Sequence, residues 1–458
     1  MNVKSKILFS IIINITLVVI AFGTSIIISN ILGPEGFGFY KYIILVATTL
    51  TLVANFGLLD MLVVKLSKKE INLKEYLASV FIAVMPLFIV VGSILFYFLF
   101  GRENINDKPL VHIALLYCLI HQLNTICQQS ILALDKLIKF QVFEIVKQAL
   151  FLCLAVLLYY FFVINIKNIF LVLLIPNSIA IVYVAYLSFV SLKKSQTEFG
   201  TTLRGTSSTP PNVVPNSVWL FRREGVAKQK LNLPFNKELT KNSLMFYLFN
   251  IMNFFTSRID IYILKWSFVN NFYMIGIYSL AITLVEKIWI VPEAIRSVLF
   301  LELSNNRRGE DFVATLLRLL TFFIIISGII IAFFSIWVIP LVFPKFYESV
   351  LPFLVLLPGA LFYCYNKTLG VYFTVREMLK INTYTSIIVL SINIAINLIL
   401  IPRYDILGAS IAKSVAFIAG AVYHISRFQK VSGISVFNLL VVKKEDFYLI
   451  PSLRGRSL

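Results

Sequence analysis

Charge is what this chain has least of. Charged side chains make up 14% of its 458 residues, against about 25% in ordinary soluble domains. Hydrophobic residues make up 59% and the mean hydropathy is +0.88, which makes lipid the expected solvent. Cysteine is also sparse. Cys118, Cys127, Cys153 and Cys364 each sit in an apolar run and no two form a Cys-x-x-Cys pair, so neither a disulfide framework nor a zinc site is supported. No Gly-x-x-x-x-Gly-Lys-[Ser/Thr] loop is present, which excludes nucleotide hydrolysis by this chain. His-Glu-x-x-His and Gly-x-Ser-x-Gly are missing too, and with them two common hydrolase designs. The expectation is a protein that is not an enzyme and needs no cofactor or metal. The net charge of +19 would suggest nucleic acid in a soluble chain. In a lipid-embedded one it reads as positive loops held on the cytoplasmic side, with no nucleic-acid partner.

What the chain has is long apolar runs. A helical span needs about 20 apolar residues, and helices satisfy their own backbone in hydrocarbon. Twelve runs qualify, at roughly 7–29, 40–64, 77–100, 110–132, 140–162 and 168–192, then 242–266, 274–299, 312–338, 349–373, 381–401 and 406–426. The runs at 274–299 and 349–373 are interrupted by Glu286, Lys287, Pro352 and Pro358. The predicted fold is all-α and polytopic, with about twelve transmembrane helices in two six-helix halves around a central cavity.

The seam between the halves is basic and rich in Pro, Ser and Thr. The predicted organisation is an N-terminal half over 1–192, a linker over 193–241, a C-terminal half over 242–426 and a tail over 427–458. The linker reads either as a flexible tether or as a docking site for a partner or anionic lipid, through Trp219, Arg222, Arg223, Lys228 and Lys230. Alternate loops differ sharply in Lys and Arg. Lys65, Lys68, Lys69 and Lys74, the linker, and Arg376 with Lys380 belong to the rich set, which places both termini and the linker in the cytoplasm. Trp266, Trp337 and Phe346-Tyr347 fall at predicted outer ends, as interfacial anchors do.

The two halves share a short echo. Gly38-Phe39-Tyr40 leads to Ala47-Thr48-Thr49-Leu50, and Gly276-Ile277-Tyr278 leads to Ala281-Ile282-Thr283-Leu284. An echo of that kind indicates parallel repeats, and transporters built so bind substrate between the repeats near the midplane.

Three motifs stand in order along the chain: Ile31-Leu32-Gly33-Pro34-Glu35-Gly36-Phe37-Gly38-Phe39-Tyr40; Arg258-Ile259-Asp260 followed by Gly276-Ile277-Tyr278 and the Glu286-Lys287…Pro292 helix; and Asn397-Leu398-Ile399-Leu400-Ile401-Pro402-Arg403-Tyr404 followed by Gly408-Ala409-Ser410-Ile411-Ala412. Physically, Gly33-Pro34 and Pro402 end helices, Gly36 and Gly38 read as a tight outside turn, and the small residues at 408–412 let helices approach closely. Together the motifs resemble the polysaccharide-biosynthesis (O-antigen, Wzx-like) flippases of the multidrug/oligosaccharidyl-lipid/polysaccharide exporter superfamily, over nearly the whole chain outside the seam. The chain departs from that pattern at Asp405, where Gly is usual, and at Lys413, where a small or hydroxyl residue is usual.

The resemblance implies a flippase of the bacterial cytoplasmic (inner) membrane for undecaprenyl-pyrophosphate-linked oligosaccharide. Its partners would be the bilayer, the lipid-linked oligosaccharide, and a polysaccharide polymerase or chain-length regulator. The alternatives are an ion-coupled multidrug/cation antiporter of the same superfamily, a peptidoglycan-precursor flippase and, more remotely, a membrane enzyme such as a polymerase.

Polar residues inside the runs are the candidate site, because they are costly in hydrocarbon and normally face a cavity or a partner. Asn250, Asn253, Ser257 and Asp260 are spaced to share one helical face, with Arg258 beside them. Ser386, Asn393 and Asn397 share a face in the eleventh run. His121, Thr125 and Gln128 share one in the fourth, and His121 is the side chain that would titrate near neutral pH. Lys413 brings a cation into the twelfth. Amides donate and accept, which suits sugars; cations suit a pyrophosphate. The competing reading is interhelical hydrogen bonding for the amides and snorkelling for Lys41, Lys265 and Lys367. Asp260 and Glu286 are the candidates for ion coupling, and Asp260 has two possible cationic partners, Arg258 and Lys413.

Overall fold

The computed structural model describes residues 3–55, 57–67, 73–100, 108–133, 137–161, 166–183, 237–268, 271–289, 309–443 and 445–446, with isolated positions between them. The linker up to 236, with Trp219, Arg222, Arg223, Lys228 and Lys230, and the tail beyond 446 lie outside the described residues. Regular structure among the described residues is entirely helical. The helices are α1 (Val3–Asn55), α2 (Leu58–Ser67), α3 (Leu73–Ser79), α4 (Met85–Phe100), α5 (Lys108–Ala133) and α6 (Leu137–Phe161), then α7 (Ile166–Tyr183). They continue with α8 (Lys237–Ser267), α9 (Phe272–Glu286), α10 (Glu310–Val342), α11 (Val350–Val375), α12 (Leu379–Ser432) and α13 (Val436–Leu440).

Among the described residues, eight helices are long and apolar enough to cross a membrane. Two of them are kinked pairs. α1 breaks at Gly33, whose φ is 66°, and α12 breaks at Asp405, whose φ is 51°. With α5 and α8 these place helix at all twelve predicted positions, and the protein is an all-α polytopic membrane protein. On α10 the apolar residues Ile329, Phe333, Trp337 and Leu341 recur every fourth position and are all exposed, the stripe of a helix that faces lipid.

Several expectations are corrected. Gly36 and Gly38 do not form a turn; they lie within the second limb of α1. The predicted span 40–64 is not continuous, since α1 stops at Asn55 and α2 starts at Leu58 around Gly57, whose φ is 67°. α11 runs unbroken through Pro358, and the Ser414 hydroxyl donates to the Val355 carbonyl at 2.5 Å close to where proline removes a ladder donor. Phe346 is not an interfacial anchor. It is fully buried and meets Phe37 edge-on with 5.6 Å between ring centroids, whereas Trp266, Trp337 and Tyr347 are exposed.

The chain divides into two compact units. One comprises Met1–Leu45, Gln148–Val172 and Leu248–Leu458; the other comprises Val46–Lys147 and Leu173–Tyr247. In the second, a core of Leu59, Leu62, Tyr76, Val80, Val84 and Ile126 gathers around a π-helical turn at Val80–Val84. In the first, α1 crosses α9 and α12 packs along α11. A Cβ on Gly359 of α11 would come within 2.4 Å of Ser414 Cα on α12, so the small residues at this contact set the approach of the two helices.

Candidate functional site

The polar faces read from the sequence meet within the first unit. α8 and the first limb of α12 present their stripes to each other, and the amides join them. Ser386 Oγ donates to Asn253 Oδ1 at 3.0 Å, Asn393 Nδ2 donates to the Thr256 carbonyl at 3.2 Å, and Asn397 Nδ2 donates back to Asn393 Oδ1 at 2.7 Å. Asn250 stands on α8 one turn before Asn253 and is half-buried.

Further along the same two helices lies an ion pair. Asp260 is 0% exposed and Lys413 2%. Lys413 Nζ donates to Asp260 Oδ2 at 2.9 Å and to the Ser257 carbonyl at 2.7 Å. The Tyr278 hydroxyl donates to the same carboxylate oxygen. A buried charge persists only when paired and hydrogen-bonded, and these three bonds provide that. Arg258 turns the other way. Its guanidinium pairs with Glu286: Nη2 donates to Oε2 at 3.1 Å, and Nη1 stands 2.9 Å from Oε1 as an ionic contact.

These pairs are not isolated. Lys41, Arg258, Lys287 and Lys413 all act electrostatically on Glu286 or on one another, and Arg258 also acts with Asp260. Four cations are thus linked electrostatically to Glu286, and two of them, Arg258 and Lys413, to Asp260 as well, so positive charge exceeds negative in this group. Lys265 does not snorkel. It is 7% exposed and its ammonium sits 4.1 Å from the Phe272 ring centroid. Lys367 pairs with Glu293 beside the rings of Trp289 and Tyr363.

His121 and Gln128 are brought to neither group. They lie on α5 in the second unit, where Gln128 Nε2 donates to Glu144 Oε1 at 2.8 Å, Glu144 pairs with Lys147 at 2.7 Å, and the His121 ring stacks on Tyr117 with 5.9 Å between centroids. Neighbouring amides there join helices: Gln122 Nε2 donates to Asn55 Oδ1 at 2.8 Å and Asn124 Nδ2 to Asn177 Oδ1 at 3.0 Å.

The sequence reading overlooked Asn366, Asn382 and His424. They line a polar cavity of about 420 Å³ in the first unit together with Asn253, Thr256 and Lys367. Asn366 follows an aromatic run and His424 stands alone in α12, so neither makes a stripe. The signal that was available is the cost of a polar residue in an apolar run, plainest for Asn366, which lies well inside α11, while Asn382 and His424 fall near the ends of their runs.

Among the described residues no cluster of His, Cys, Asp and Glu is arranged to hold a metal. No protein-family model matches the sequence, and neither does any curated protein. Solved structures do. A structure of the lipid II flippase MurJ in an inward closed conformation superposes with a TM-score of 0.66 at 16% identity, covering 99% of this chain and 94% of that one. A MOP superfamily transporter from Pyrococcus furiosus gives 0.58 at 12% identity, with coverages of 93% and 95%. A point mutant of the Vibrio cholerae MATE transporter VcmN gives 0.55 at 13% identity, with coverages of 94% and 96%. The chain has the polytopic helical fold that this flippase and these MATE and MOP transporters share.

Proposed function

We propose that this protein is a flippase that carries an undecaprenyl-pyrophosphate-linked oligosaccharide from the cytoplasmic to the outer leaflet of a bacterial cytoplasmic membrane, for assembly of a surface polysaccharide. The observation that carries the reading is the charge balance within the first unit: Lys41, Arg258, Lys287 and Lys413 against Asp260 and Glu286. A surplus of cations in hydrocarbon is expensive and suits an anionic head group. Arg258 is the cation placed to bind it in forked fashion, because its pair with Glu286 is only half-buried. Asn250, Asn253, Asn393 and Asn397 supply amides for sugar hydroxyls. In this reading both termini and the linker are cytoplasmic, the two six-helix halves rock about a central cavity to alternate access, and the lipid tail stays in the bilayer. A polysaccharide polymerase or chain-length regulator receives the unit.

The drive is an ion gradient or the membrane potential, since the sequence holds no nucleotide loop. Asp260 and Glu286 are the carboxylates that would meet a coupling ion. Each already holds a cation of the chain, so an incoming ion competes with Lys413 or Arg258 for the carboxylate. The second reading, a multidrug/cation antiporter, draws on the likeness to MATE structures. A peptidoglycan-precursor flippase draws on the likeness to MurJ.

The test is reconstitution into liposomes with a lipid-linked oligosaccharide, following its exposure to an added lectin with and without an imposed ion gradient. Protein-dependent exposure that Arg258→Ala abolishes supports the reading. No exposure across several glycans, together with efflux of cationic dyes, moves it to the antiporter.

A further inference from the structure

We infer that the cavity between α8, α11 and α12 is a saccharide subsite that takes a neutral group rich in hydrogen-bond donors and holds it within the first unit, apart from the Asp260–Lys413 pair. The inference rests on the flippase reading for its cargo and on the cavity's own atoms for its chemistry.

Four side chains of the cavity wall carry buried polar atoms that the protein leaves unused. Asn366 Oδ1, Asn382 Oδ1, Thr256 Oγ1 and both ring nitrogens of His424 have no hydrogen-bond partner among the described residues. All four side chains are more than nine-tenths buried and all four line the cavity. Buried polar groups are satisfied in the great majority of cases, and each one left open is costly. Several open groups around one space mark a place where something else completes them.

The orientation of the two amides is fixed. Asn382 Nδ2 donates to the Gly370 carbonyl at 2.9 Å and to Thr374 Oγ1 at 3.0 Å. Asn366 Nδ2 donates to the Phe417 carbonyl at 3.2 Å. Carbonyls only accept, so the NH₂ groups must point at them and the amide oxygens must point away. The cavity wall therefore holds two fixed acceptors, one hydroxyl that serves either way, and an imidazole that in its neutral form donates from one nitrogen and accepts at the other, all set just behind its surface.

That pattern selects among ligands. A phosphate or pyrophosphate brings acceptor oxygens to two carbonyl oxygens, and the lysine at the cavity, Lys367, is already paired with Glu293. A cationic amine finds neutral acceptors but no carboxylate among the lining residues. Sugar hydroxyls and acetamido N–H groups fit both acceptors and use the imidazole and the hydroxyl as well. The Tyr363 ring in the wall supplies an apolar face for sugar C–H groups. A volume of about 420 Å³ lies within the roughly 300–1,000 Å³ of small-molecule sites. Gly370, Thr374 and Asn382 put the cavity next to the α11–α12 connection, which the charge pattern assigns to the cytoplasmic side.

The test uses the full chain in lipid nanodiscs and isothermal titration with N,N′-diacetylchitobiose, lactose, inorganic pyrophosphate and tetraethylammonium. At least one neutral disaccharide is expected to bind saturably, and the anion and the cation not to compete. Gly370→Leu is the cleanest variant. A Cβ there meets only Asn382 Oδ1, at 3.9 Å, so the side chain fills the cavity while removing no hydrogen bond. It is expected to weaken disaccharide binding at least about tenfold with unchanged or raised Tm. Asn382→Leu and His424→Ala are expected to weaken it similarly, through the lost partners. Binding of pyrophosphate in competition with the disaccharide, disaccharide binding unaltered by Gly370→Leu, or no binding by either disaccharide overturns the inference. Disaccharide binding by a protein that flips no lipid-linked glycan sinks the flippase reading and leaves the cavity assigned. Flipping at the wild-type rate by Gly370→Leu does the reverse.

Discussion

Gly38 on α1 and Gly276 on α9 pack backbone to backbone. A Cβ on Gly38 would come within 1.9 Å of the Phe272 carbonyl oxygen, and one on Gly276 within 1.8 Å of the Pro34 carbonyl oxygen. The two glycines head the matching segments Gly38-Phe39-Tyr40 and Gly276-Ile277-Tyr278, so the short echo in the sequence consists of two strips of helix that touch. Close approach of this kind favours packing and weak hydrogen bonds between helices in lipid.

The first prediction follows from that contact. Gly38→Ala and Gly276→Ala each place a methyl group on rigid backbone and should destabilise by about 1–3 kcal/mol or more, read as a lower Tm of the purified protein in detergent. Gly92→Ala is the control. Nothing lies within 4 Å of its added Cβ, and helix propensity alone should leave Tm equal or higher. Equal Tm values for all three variants would refute the close crossing.

Asp405 carries a backbone conformation that suits glycine. Its φ of 51° and ψ of −129° break α12 just after Pro402. A non-glycine residue there stores about 1–3 kcal/mol of strain. Replacement by Gly releases it while adding roughly 0.4–1 kcal/mol of unfolded-chain freedom. Asp405→Gly should therefore stabilise by about 1 kcal/mol, and Asp405→Ala should not, when both are compared with the parent by thermal unfolding. A lower Tm for Asp405→Gly would mean the carboxylate contributes something the backbone argument omits.

The Asp260–Lys413 pair makes a double-mutant prediction. Lys413→Ala leaves a fully buried carboxylate with only the Tyr278 hydroxyl, and breaking such a pair costs about 3–5 kcal/mol. Asp260→Asn alone strands the ammonium in the same way. The double variant Lys413→Ala/Asp260→Asn removes both charges and should be more stable than either single one. Additive losses in Tm would show that the two side chains do not depend on each other.

The helical plan was legible because each span is an apolar run of membrane length, and the breaks at Gly33 and Asp405 fall where Pro and a departure from glycine stand. The stripes on α8 and α12 were legible for the same periodic reason. Which partner each charge takes was not. Asp260 and Arg258 are two residues apart and project in different directions, so the choice of Lys413 for one and Glu286 for the other is made by α9 and α12, far away in sequence. Gly38 looked like a turn residue because a glycine pressed against another helix and a glycine in a bend leave the same letter. The cavity was not read from the sequence because Asn366 stands on α11 and Asn382 and His424 on the two limbs of α12, and only the fold brings them to Asn253 and Thr256 of α8.

A last prediction concerns acid. Beyond the end of α12, Asp446 is buried and receives Arg318 of α10 through Nη2 at 2.6 Å and Nε at 2.7 Å, while the Lys443 N–H donates to it at 2.8 Å. Arg318 Nη1 also donates to the Asn438 carbonyl at 3.1 Å, so one guanidinium ties the segment from α13 to Asp446 onto α10. The Arg318 hydrogen bonds, and then the backbone donor at Lys443, outweigh burial and hold the Asp446 carboxyl below its ordinary value of 3.8. A carboxyl held low binds its proton more weakly in the folded state, so its stabilisation is complete above the ordinary value and fades as pH falls through the lower folded one. Hydrogen exchange over residues 436–446 should therefore be slow and independent of this group at neutral pH, after correction for intrinsic rates. Protection should drop only below about pH 4. Asp446→Asn should expose the segment at neutral pH and flatten that acid dependence. Full protection in Asp446→Asn would show that α13 is held by its apolar contacts and that the ion pair contributes little.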